Sequence, residues 1–295
     1  MSDGIPELLH ADWASRRERL LESLGSEPAW LADAGKAAAF HRVFATSRFV
    51  ADSLIAQPGL LAELENDLWR TYAPGWYAAS LQARLSTVDN EADLLKALRV
   101  FRRREMVRIV WRDFARLAEL EETIRDMSVL ADACIAEALD WWHPRLCAEL
   151  GEPMSVDGVP QRMVVLGMGK LGAGELNVSS DIDLIFTYPD NGETRGKPRA
   201  MDNHEFFTRL GRKLIHALDH QTADGQVFRV DMRLRPWGQS GALALSFDAM
   251  EEYYQNQGRE WERYAMIKAR AVAGQAADCE RLMACLRPFT YRRYI

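Results

Sequence analysis

The chain has 295 residues, of which 48% are hydrophobic, and a formal net charge of −6 with acidic and basic residues interspersed. That length and composition suffice for about two globular domains. A general nucleic-acid binder needs a basic field to displace counterions from phosphate, so the charge argues against nucleic acid as a partner.

The sequence shows neither the pattern of a signal peptide nor that of a redox-active cysteine pair. The four cysteines form no C-x-x-C pair, and the amino terminus lacks the charged-then-apolar pattern of a signal peptide. No apolar run approaches the roughly 20 residues that cross a bilayer. We therefore expect a reduced, cytoplasmic protein that does not use a membrane as a partner.

The first 150 residues show helical periodicity and almost no strand signal, so residues 1–150 are predicted to form a helical domain. One long helix is expected from Glu91 to Leu120 and a second over Glu121–Trp142, ending before Pro144. Three residues at that end are predicted to pack rather than to act as ligands: Trp141, Trp142 and His143.

The first long helix carries a basic stripe. It consists of three arginines at four-residue spacing: Arg104, Arg108 and Arg112. Such a stripe could steer an acidic partner surface, but acidic residues lie close to it in sequence. We favour the interpretation that it is a solvated helix face.

The polar segment Gly151–Gln161 is predicted to connect the helical domain to a second domain, residues 151–295. This second domain opens with a predicted strand, Met163–Leu166, and a glycine-rich turn. A second strand, Ile182–Tyr188, follows, with a carboxylate on each side of Ile182.

Those two carboxylates, Asp181 and Asp183, stand at positions i and i+2. On a strand they would share one face with Cα atoms about 6.6 Å apart. Two carboxylates this close raise each other's pKa unless a cation compensates them. Oxygen ligands favour Mg²⁺ or Mn²⁺, so a divalent metal bound with a phosphate-bearing substrate is the simplest explanation.

The intervening turn matches the G-x-G-x-x-G pattern of a dinucleotide-binding unit through Gly167, Gly169 and Gly172. Chain length argues against that fold, because Asp181 follows Gly172 by only nine residues and leaves no room for a full crossover helix. A Walker A loop is also excluded, since Lys170 is followed by leucine rather than Ser or Thr. A short helix is predicted instead over Leu171–Asn177.

Beyond a polar loop, Pro189–Arg199, a helix capped at Asp202 is predicted to end near Thr222. It contains a histidine pair that superficially resembles an inverted zinc-protease motif, His216-Ala-Leu-Asp-His220. We discount zinc, because that motif requires Glu at position 219 and no third ligand is evident.

The next predicted strand, Val227–Leu234, alternates strictly between apolar and charged residues. Its charged face consists of Arg229, Asp231, Arg233 and Arg235. A solvent-facing edge strand would explain this pattern. One acid among three arginines would equally suit a third metal ligand flanked by groups that hold phosphate oxygens.

The remaining elements are a short strand over Gly241–Leu245, a helix capped by Ser246, and a packing helix over Arg259–Ala271. The whole chain is therefore predicted to be α+β. A helical domain is followed by an αβ domain with a small mixed sheet and carboxyl-terminal helices.

The segments around the aspartates resemble a known family. A strand, a Gly-Lys turn, a short helix and a strand opening Asp-Ile-Asp are similar to the nucleotidyltransferase superfamily. Within it, Gly167-Met-Gly-Lys-Leu-Gly172, Ser179-Ser-Asp-Ile-Asp-Leu-Ile-Phe186 and Val230-Asp-Met-Arg-Leu-Arg-Pro236 resemble the glutamine synthetase adenylyltransferase family. The superfamily turn is commonly Gly-Ser or Gly-Gly, whereas this chain has Gly169-Lys170.

The resemblance implies a nucleotidyltransferase fold with a three-carboxylate site. Asp181, Asp183 and Asp231 would be the catalytic residues and would hold two Mg²⁺ ions, or Mn²⁺. The groups that would hold phosphate oxygens are Gly169, Lys170, Ser180 and Arg233.

The resemblance also implies a direction of reaction. Glu175-Leu-Asn177 and Gly258-Arg-Glu-Trp-Glu-Arg-Tyr-Ala-Met-Ile-Lys-Ala-Arg270 are similar to the amino-terminal, adenylyl-removing half of the family. The expected reaction is phosphorolysis of adenylyl-tyrosine on glutamine synthetase, which yields ADP. A longer native protein, regulated by a PII signalling protein, is expected. An ATP-dependent adenylyltransferase and a non-catalytic nucleotide-binding module remain as alternatives.

Overall fold

The structure is a computed structural model that describes residues 5–291. Residues 1–4 and 292–295 lie outside the described residues, and they include most of the amino-terminal segment in which no signal pattern was recognised. Twelve α-helices lie within the described part: α1 His10–Leu24, α2 Ala34–Thr46, α3 Arg48–Ala56, α4 Gly59–Leu64, α5 Trp76–Leu85, α6 Glu91–Phe114, α7 Leu120–Leu150, α8 Gly169–Gly172, α9 Asn203–Asp219, α10 Phe247–Asn256, α11 Glu260–Met266 and α12 Ala276–Thr290.

Seven short strands complete the described chain: β1 Glu152–Pro153, β2 Val164–Gly167, β3 Ile182–Tyr188, β4 Thr194–Arg195, β5 Val230–Asp231, β6 Ala244–Ser246 and β7 Arg270–Ala273. The predicted α+β class is confirmed. No helix in residues 5–291 is both long enough and apolar enough to cross a membrane.

The chain forms two compact units, Met1–Trp76 with Val100–Met127 and Tyr77–Arg99 with Ser128–Ile295. The domain boundary expected at residue 150 stays a prediction. The first unit is helical, and in its core the Phe40 ring stacks on Phe44 while the Trp30 ring lies edge-on to Trp111.

Within the first unit, the basic stripe is buried, so both interpretations of it as a surface were wrong. Arg104 pairs with Asp67, and the Arg112 guanidinium lies 2.8 Å from Glu122 Oε1. Arg108 lies 3.1 Å from Asp126 Oδ2 and donates to the carbonyl of Arg70. Each guanidinium is compensated inside the unit, which is the condition for burying a charge.

Two helix ends also differ from expectation. α6 stops at Phe114, and Arg116 then adopts the left-handed region with φ of 58°. α7 continues through Pro144 to Leu150, although a break was expected there. A proline removes only one helical hydrogen bond, and the buried neighbours Trp142 and Leu146 hold the helix on both sides of it.

The second unit contains a five-stranded mixed sheet with the order β5-β3-β2-β7. β5 pairs with the first two residues of β3, and β6 pairs with its last three. β2 runs antiparallel to β3 and β7, whereas β5 and β6 run parallel to β3. Consecutive β3 residues face opposite layers. Ile185 packs among residues of α10 and α12, and Phe186 contacts α9 so closely that a Cβ on Gly211 would lie 2.8 Å from its ring.

Several predicted elements of this unit need correction. The strand expected over Val227–Leu234 is ordered as a strand only at Val230–Asp231, because turns begin at Met232, whose carbonyl accepts from Arg235 N. The helix expected over Arg259–Ala271 ends at Met266, and β7 takes over at Arg270. The short helix before β3 is Gly169–Gly172 rather than Leu171–Asn177.

The connector Gly151–Gln161 and the loop Pro189–Arg199, which were expected to be irregular, pair with each other. Glu152 lies opposite Arg195 and Pro153 opposite Thr194, so β1 and β4 form a small antiparallel ribbon. By contrast, the Ser246 cap of α10 and the Asp202 cap of α9 are confirmed, with side-chain oxygens that accept from Ala249 N and His204 N.

Candidate active site

Parallel pairing of β3 with β5 sets two of the predicted carboxylates side by side. Asp183 is the register partner of Asp231. Adjacent strands are about 4.8 Å apart and paired residues project to the same face. Asp181 immediately precedes β3, and its side chain is 47% exposed. The structure therefore brings the sequence-predicted carboxylates to one end of the sheet.

The electrostatics of Asp183 reflect this crowding. Its pKa is raised above the ordinary value, first by burial and then by the charges of Asp231 and Asp181, with Arg233 acting in the opposite direction. A carboxyl group in such a setting favours an added cation or a proton.

The glycine turn lies directly beneath Asp183. Met168 N donates to the Asp183 carbonyl at 2.9 Å, which ties the turn to β3. Gly169 has φ of 53°, and a Cβ built on it would lie 2.9 Å from Asp183 Oδ2. Position 169 therefore needs glycine for two reasons, its backbone conformation and the space that the carboxylate occupies.

Two arginines cover the other carboxylates. Arg233 Nε lies 2.7 Å from Asp231 Oδ2, and its backbone N–H donates to Asp231 Oδ1 at 2.8 Å. These contacts hold the pKa of Asp231 below its usual range. Arg229 Nε lies 2.5 Å from Asp181 Oδ1. The sequence placed Arg229 on the same charged face as Asp231 and Arg233, but its pairing with Asp181 was not predicted.

The remaining predicted phosphate ligands form a small polar cluster. Lys170 Nζ lies 3.5 Å from Ser180 Oγ and 3.4 Å from Asn177 Oδ1. Ser180 Oγ in turn donates to Asn177 Oδ1. Asn177 was not among the predicted site residues, and its place in the Glu-Leu-Asn string was the available signal.

The fit of a divalent metal can be judged from these groups. Among residues 5–291, no cluster of three or more His, Cys, Asp or Glu side chains has the geometry to hold a metal ion. Asp181 and Asp231 are instead turned onto arginines. The donors are nonetheless all carboxylate oxygens, and the raised pKa of Asp183 shows that the nearby charge of Arg233 does not offset its burial and the two neighbouring aspartates. This set fits Mg²⁺ or Mn²⁺ if the arginines release their partners.

Two further residues hold the backbone of the elements that carry the site, α8 and β5. Arg270 on β7 donates to the carbonyls of Leu171 and Gly172 and forms an ion pair with Asp132 at 2.8 Å, so it holds the end of α8. Asp219 accepts from Val230 N at 2.9 Å, which fixes β5 just before Asp231. Asp219, the acid between the two histidines of the discounted zinc motif, therefore has a structural role.

Comparison with known proteins gives a consistent picture. The sequence profile of the glutamate-ammonia ligase adenylyltransferase (GlnE) family matches residues 37–284. The chain is 58% identical over 259 residues to the bifunctional glutamine synthetase adenylyltransferase/adenylyl-removing enzyme of Pseudomonas aeruginosa, covering 87% of this chain and 26% of that protein. Identity to the protein of the same name from Nitrosococcus oceani is 57% over 256 residues, covering 86% of this chain and 26% of that protein. Identity to the protein of the same name from Pseudomonas syringae pv. tomato is 53% over 277 residues, covering 93% of this chain and 28% of that protein. The chain spans about a quarter of the length of these curated relatives.

Proposed function

Because this chain belongs to the glutamate-ammonia ligase adenylyltransferase family, we propose that it removes AMP from adenylylated glutamine synthetase by phosphorolysis. Inorganic phosphate attacks the AMP phosphorus, the bond from phosphorus to the tyrosine oxygen breaks, and ADP and the free tyrosine hydroxyl result. The observation that carries the proposal is the pairing of Asp183 with Asp231 above the Gly169 turn. That pairing supports nucleotidyl transfer at this end of the sheet.

The direction of the reaction rests on the flanking sequence. The relatives' names include both attachment and removal of AMP. The strings that follow the turn and β5, Glu175-Leu-Asn177 and Gly258-Arg-Glu-Trp261, resemble the adenylyl-removing half. The alternative is transfer of AMP from ATP to the same tyrosine, and the two reactions differ in which phosphate compound supports turnover.

In this mechanism, Asp181, Asp183 and Asp231 would hold two divalent ions, Mg²⁺ or Mn²⁺. When bound, such ions neutralise phosphoryl oxygens and stabilise the attacking and leaving oxygens of an in-line displacement. Binding requires Arg229 and Arg233 to leave the carboxylates, and both side chains are largely exposed and can move.

The arginines and the turn would then act on the substrate. Released from Asp231, Arg233 can donate two parallel hydrogen bonds to a phosphoryl group. Lys170 and Ser180 would contact the phosphate oxygens from the other side of the turn. The N–H of Gly172 already donates to Met168 O, so the backbone contacts are proposed for the N–H groups of Gly169 and Lys170.

The wider context is proposed on the same basis. Adenylylated glutamine synthetase is the protein substrate, and a PII signalling protein would regulate the longer enzyme in the cytoplasm. Inorganic phosphate and the AMP group are the small reactants.

The test is ADP release from adenylylated glutamine synthetase and Mg²⁺, with and without inorganic phosphate. We expect phosphate-dependent release in the wild type and a loss of more than about 100-fold in Asp183→Asn, because even outer-shell partners of metal ligands cost roughly 10–100-fold. Asp157→Asn makes the same charge change at an exposed position in the segment between β1 and β2 and should leave the rate unchanged.

Two results would count against the proposal. ATP-driven attachment of AMP to unmodified enzyme, without phosphate-dependent removal, would favour the adenylyltransferase. Unchanged ADP release in Asp183→Asn would remove the aspartates from the mechanism.

A further inference from the structure

One exposed aromatic side chain near the site has a strained backbone. Trp237 has φ of 58°, and within residues 5–291 only Arg116 is a second non-glycine residue with positive φ. A bulky residue is uncommon there, and such strain persists only where the surroundings fix it, often at ligand sites. Trp237 is nevertheless 44% exposed. The residue therefore combines an uncommon backbone conformation with an exposed position.

The indole is held in one orientation. Its ring lies 4.4 Å from the Tyr253 ring, and its Nε1–H donates to Gln257 Oε1 at 3.2 Å. Tyr253 is itself fixed, since its hydroxyl donates to the buried carboxylate of Glu262 at 2.7 Å. The hydrogen bond to Gln257 and the contact with Tyr253 fix the indole ring, while much of its surface stays exposed. Stacking a flat ligand on such a ring costs little conformational entropy.

The loop that carries Trp237 folds back against the backbone of Arg233. A Cβ built on Gly238 would lie 3.6 Å from the carbonyl oxygen of Arg233. The N–H of Arg233 in turn donates to Asp231 Oδ1. Gly238, the residue after Trp237, therefore lies against the backbone of Arg233, and Arg233 is itself bound to Asp231.

The side chain of Arg235 closes this loop. It donates to the carbonyls of Met232, Gln239 and Gly241, at 2.8, 3.0 and 3.3 Å. The loop therefore contains an exposed cation at Arg233 and an aromatic ring at Trp237 that is held by Tyr253 and Gln257. A nucleoside phosphate presents the two complementary groups, an anionic phosphoryl group and a flat base.

We propose that Trp237 is the stacking platform for the adenine ring of the adenylyl group, and this proposal rests on the proposed function. Aromatic side chains bind bases through the π-face of the ring, with little dependence on hydrogen bonding. In this arrangement Arg233, together with the divalent ions that the aspartates would hold, binds the phosphoryl end of the AMP group, and Trp237 binds the adenine end.

The test compares a ligand with a base and one without. Binding of ADP and of inorganic pyrophosphate, each with Mg²⁺, is measured by calorimetry on the full chain. We expect Trp237→Gly to weaken ADP binding roughly 5- to 150-fold, the range for loss of one stacked base, and to leave pyrophosphate binding unchanged. Glycine also relieves the backbone strain, so this variant should fold.

Two further variants sharpen the result. Trp237→Phe keeps a ring and should stay within about threefold of wild type for ADP. Trp261→Ala removes an indole of similar exposure, 50%, on α11 and should change neither affinity.

Unchanged ADP binding in Trp237→Gly would overturn the inference, and so would an equal loss for ADP and pyrophosphate, which would mean that the residue only shapes the Arg233 loop. ADP release from adenylylated glutamine synthetase is measured on the same samples. If the wild type releases ADP while Trp237→Gly binds ADP normally, the proposed function stands and the stacking role is wrong. If the wild type releases none, the proposed function fails, and the ADP–pyrophosphate difference still decides the role of Trp237.

Discussion

Replacing Gly169 with alanine perturbs the site in a way that the structure makes quantitative. The added Cβ would lie 2.9 Å from Asp183 Oδ2, 0.5 Å short of the 3.4 Å at which ordinary contact begins. The carboxylate must therefore move by about 0.5 Å, which exceeds the roughly 0.2 Å tolerance of metal–ligand distances. We expect Gly169→Ala to lose metal-dependent activity.

A matched control separates this effect from backbone strain. Gly174 also has a positive φ, 71°, but a Cβ built on it would meet nothing within 4 Å. Both alanine variants pay about 1–2 kcal/mol for a left-handed backbone. At roughly 2–4 °C per kcal/mol, the melting temperature should fall by about 2–8 °C in each.

The assay pairs thermal denaturation with Mn²⁺ binding by calorimetry and with ADP release. Similar losses of stability in the two variants, with loss of Mn²⁺ binding and turnover only in Gly169→Ala, would support the geometry. If Gly174→Ala lost Mn²⁺ binding as severely, or if Gly169→Ala bound it normally, the argument that Asp183 needs the space above Gly169 would be refuted.

Two further predictions concern stability. Burial lowers the pKa of His143 to about 4, so the unfolded state takes up a proton first as pH falls, and up to about 3 kcal/mol of stability should be lost between pH 6.5 and 4. Urea denaturation against pH should show this slope reduced in His143→Gln, and an unchanged slope would contradict it. Arg108→Met removes a fully buried guanidinium that pairs with Asp126 and donates to the carbonyls of Asp67 and Arg70, and it should cost about 3–5 kcal/mol. Arg48→Met removes an exposed pair and should cost less than about 1 kcal/mol by the same denaturation, so equal losses would show that burial of Arg108 is not the cause.

The candidate site could largely be located from the sequence. β3 was predicted with its observed bounds, Ile182–Tyr188. The two-residue period of a strand predicted that Asp181 and Asp183 share a face. The charged alternation made Asp231 a candidate, and the family resemblance implied that it is the third acid. Whether the three bind metal and catalyse stays a prediction.

Other features could not be predicted, because they depend on contacts between distant parts of the chain. β7 was predicted as part of a helix, and it is a strand because β2 offers an unpaired edge to Arg270–Ala273. Trp237 gave no signal in the sequence, since its exposure and its φ depend on how the loop after β5 folds back.

The sequence by itself determined the features that depend on near neighbours: the helix caps at Asp202 and Ser246, the glycine turn, and the bounds of β3. Only the tertiary structure decided which partners those features meet. The arginine stripe illustrates the difference. Helical periodicity put Arg104, Arg108 and Arg112 on one face of the helix. It could not predict whether that face is exposed to solvent or buried against acidic side chains. That choice depended on whether the rest of the unit supplied Asp67, Asp126 and Glu122 at hydrogen-bonding distance, since a buried guanidinium is tolerated only when its charge is compensated.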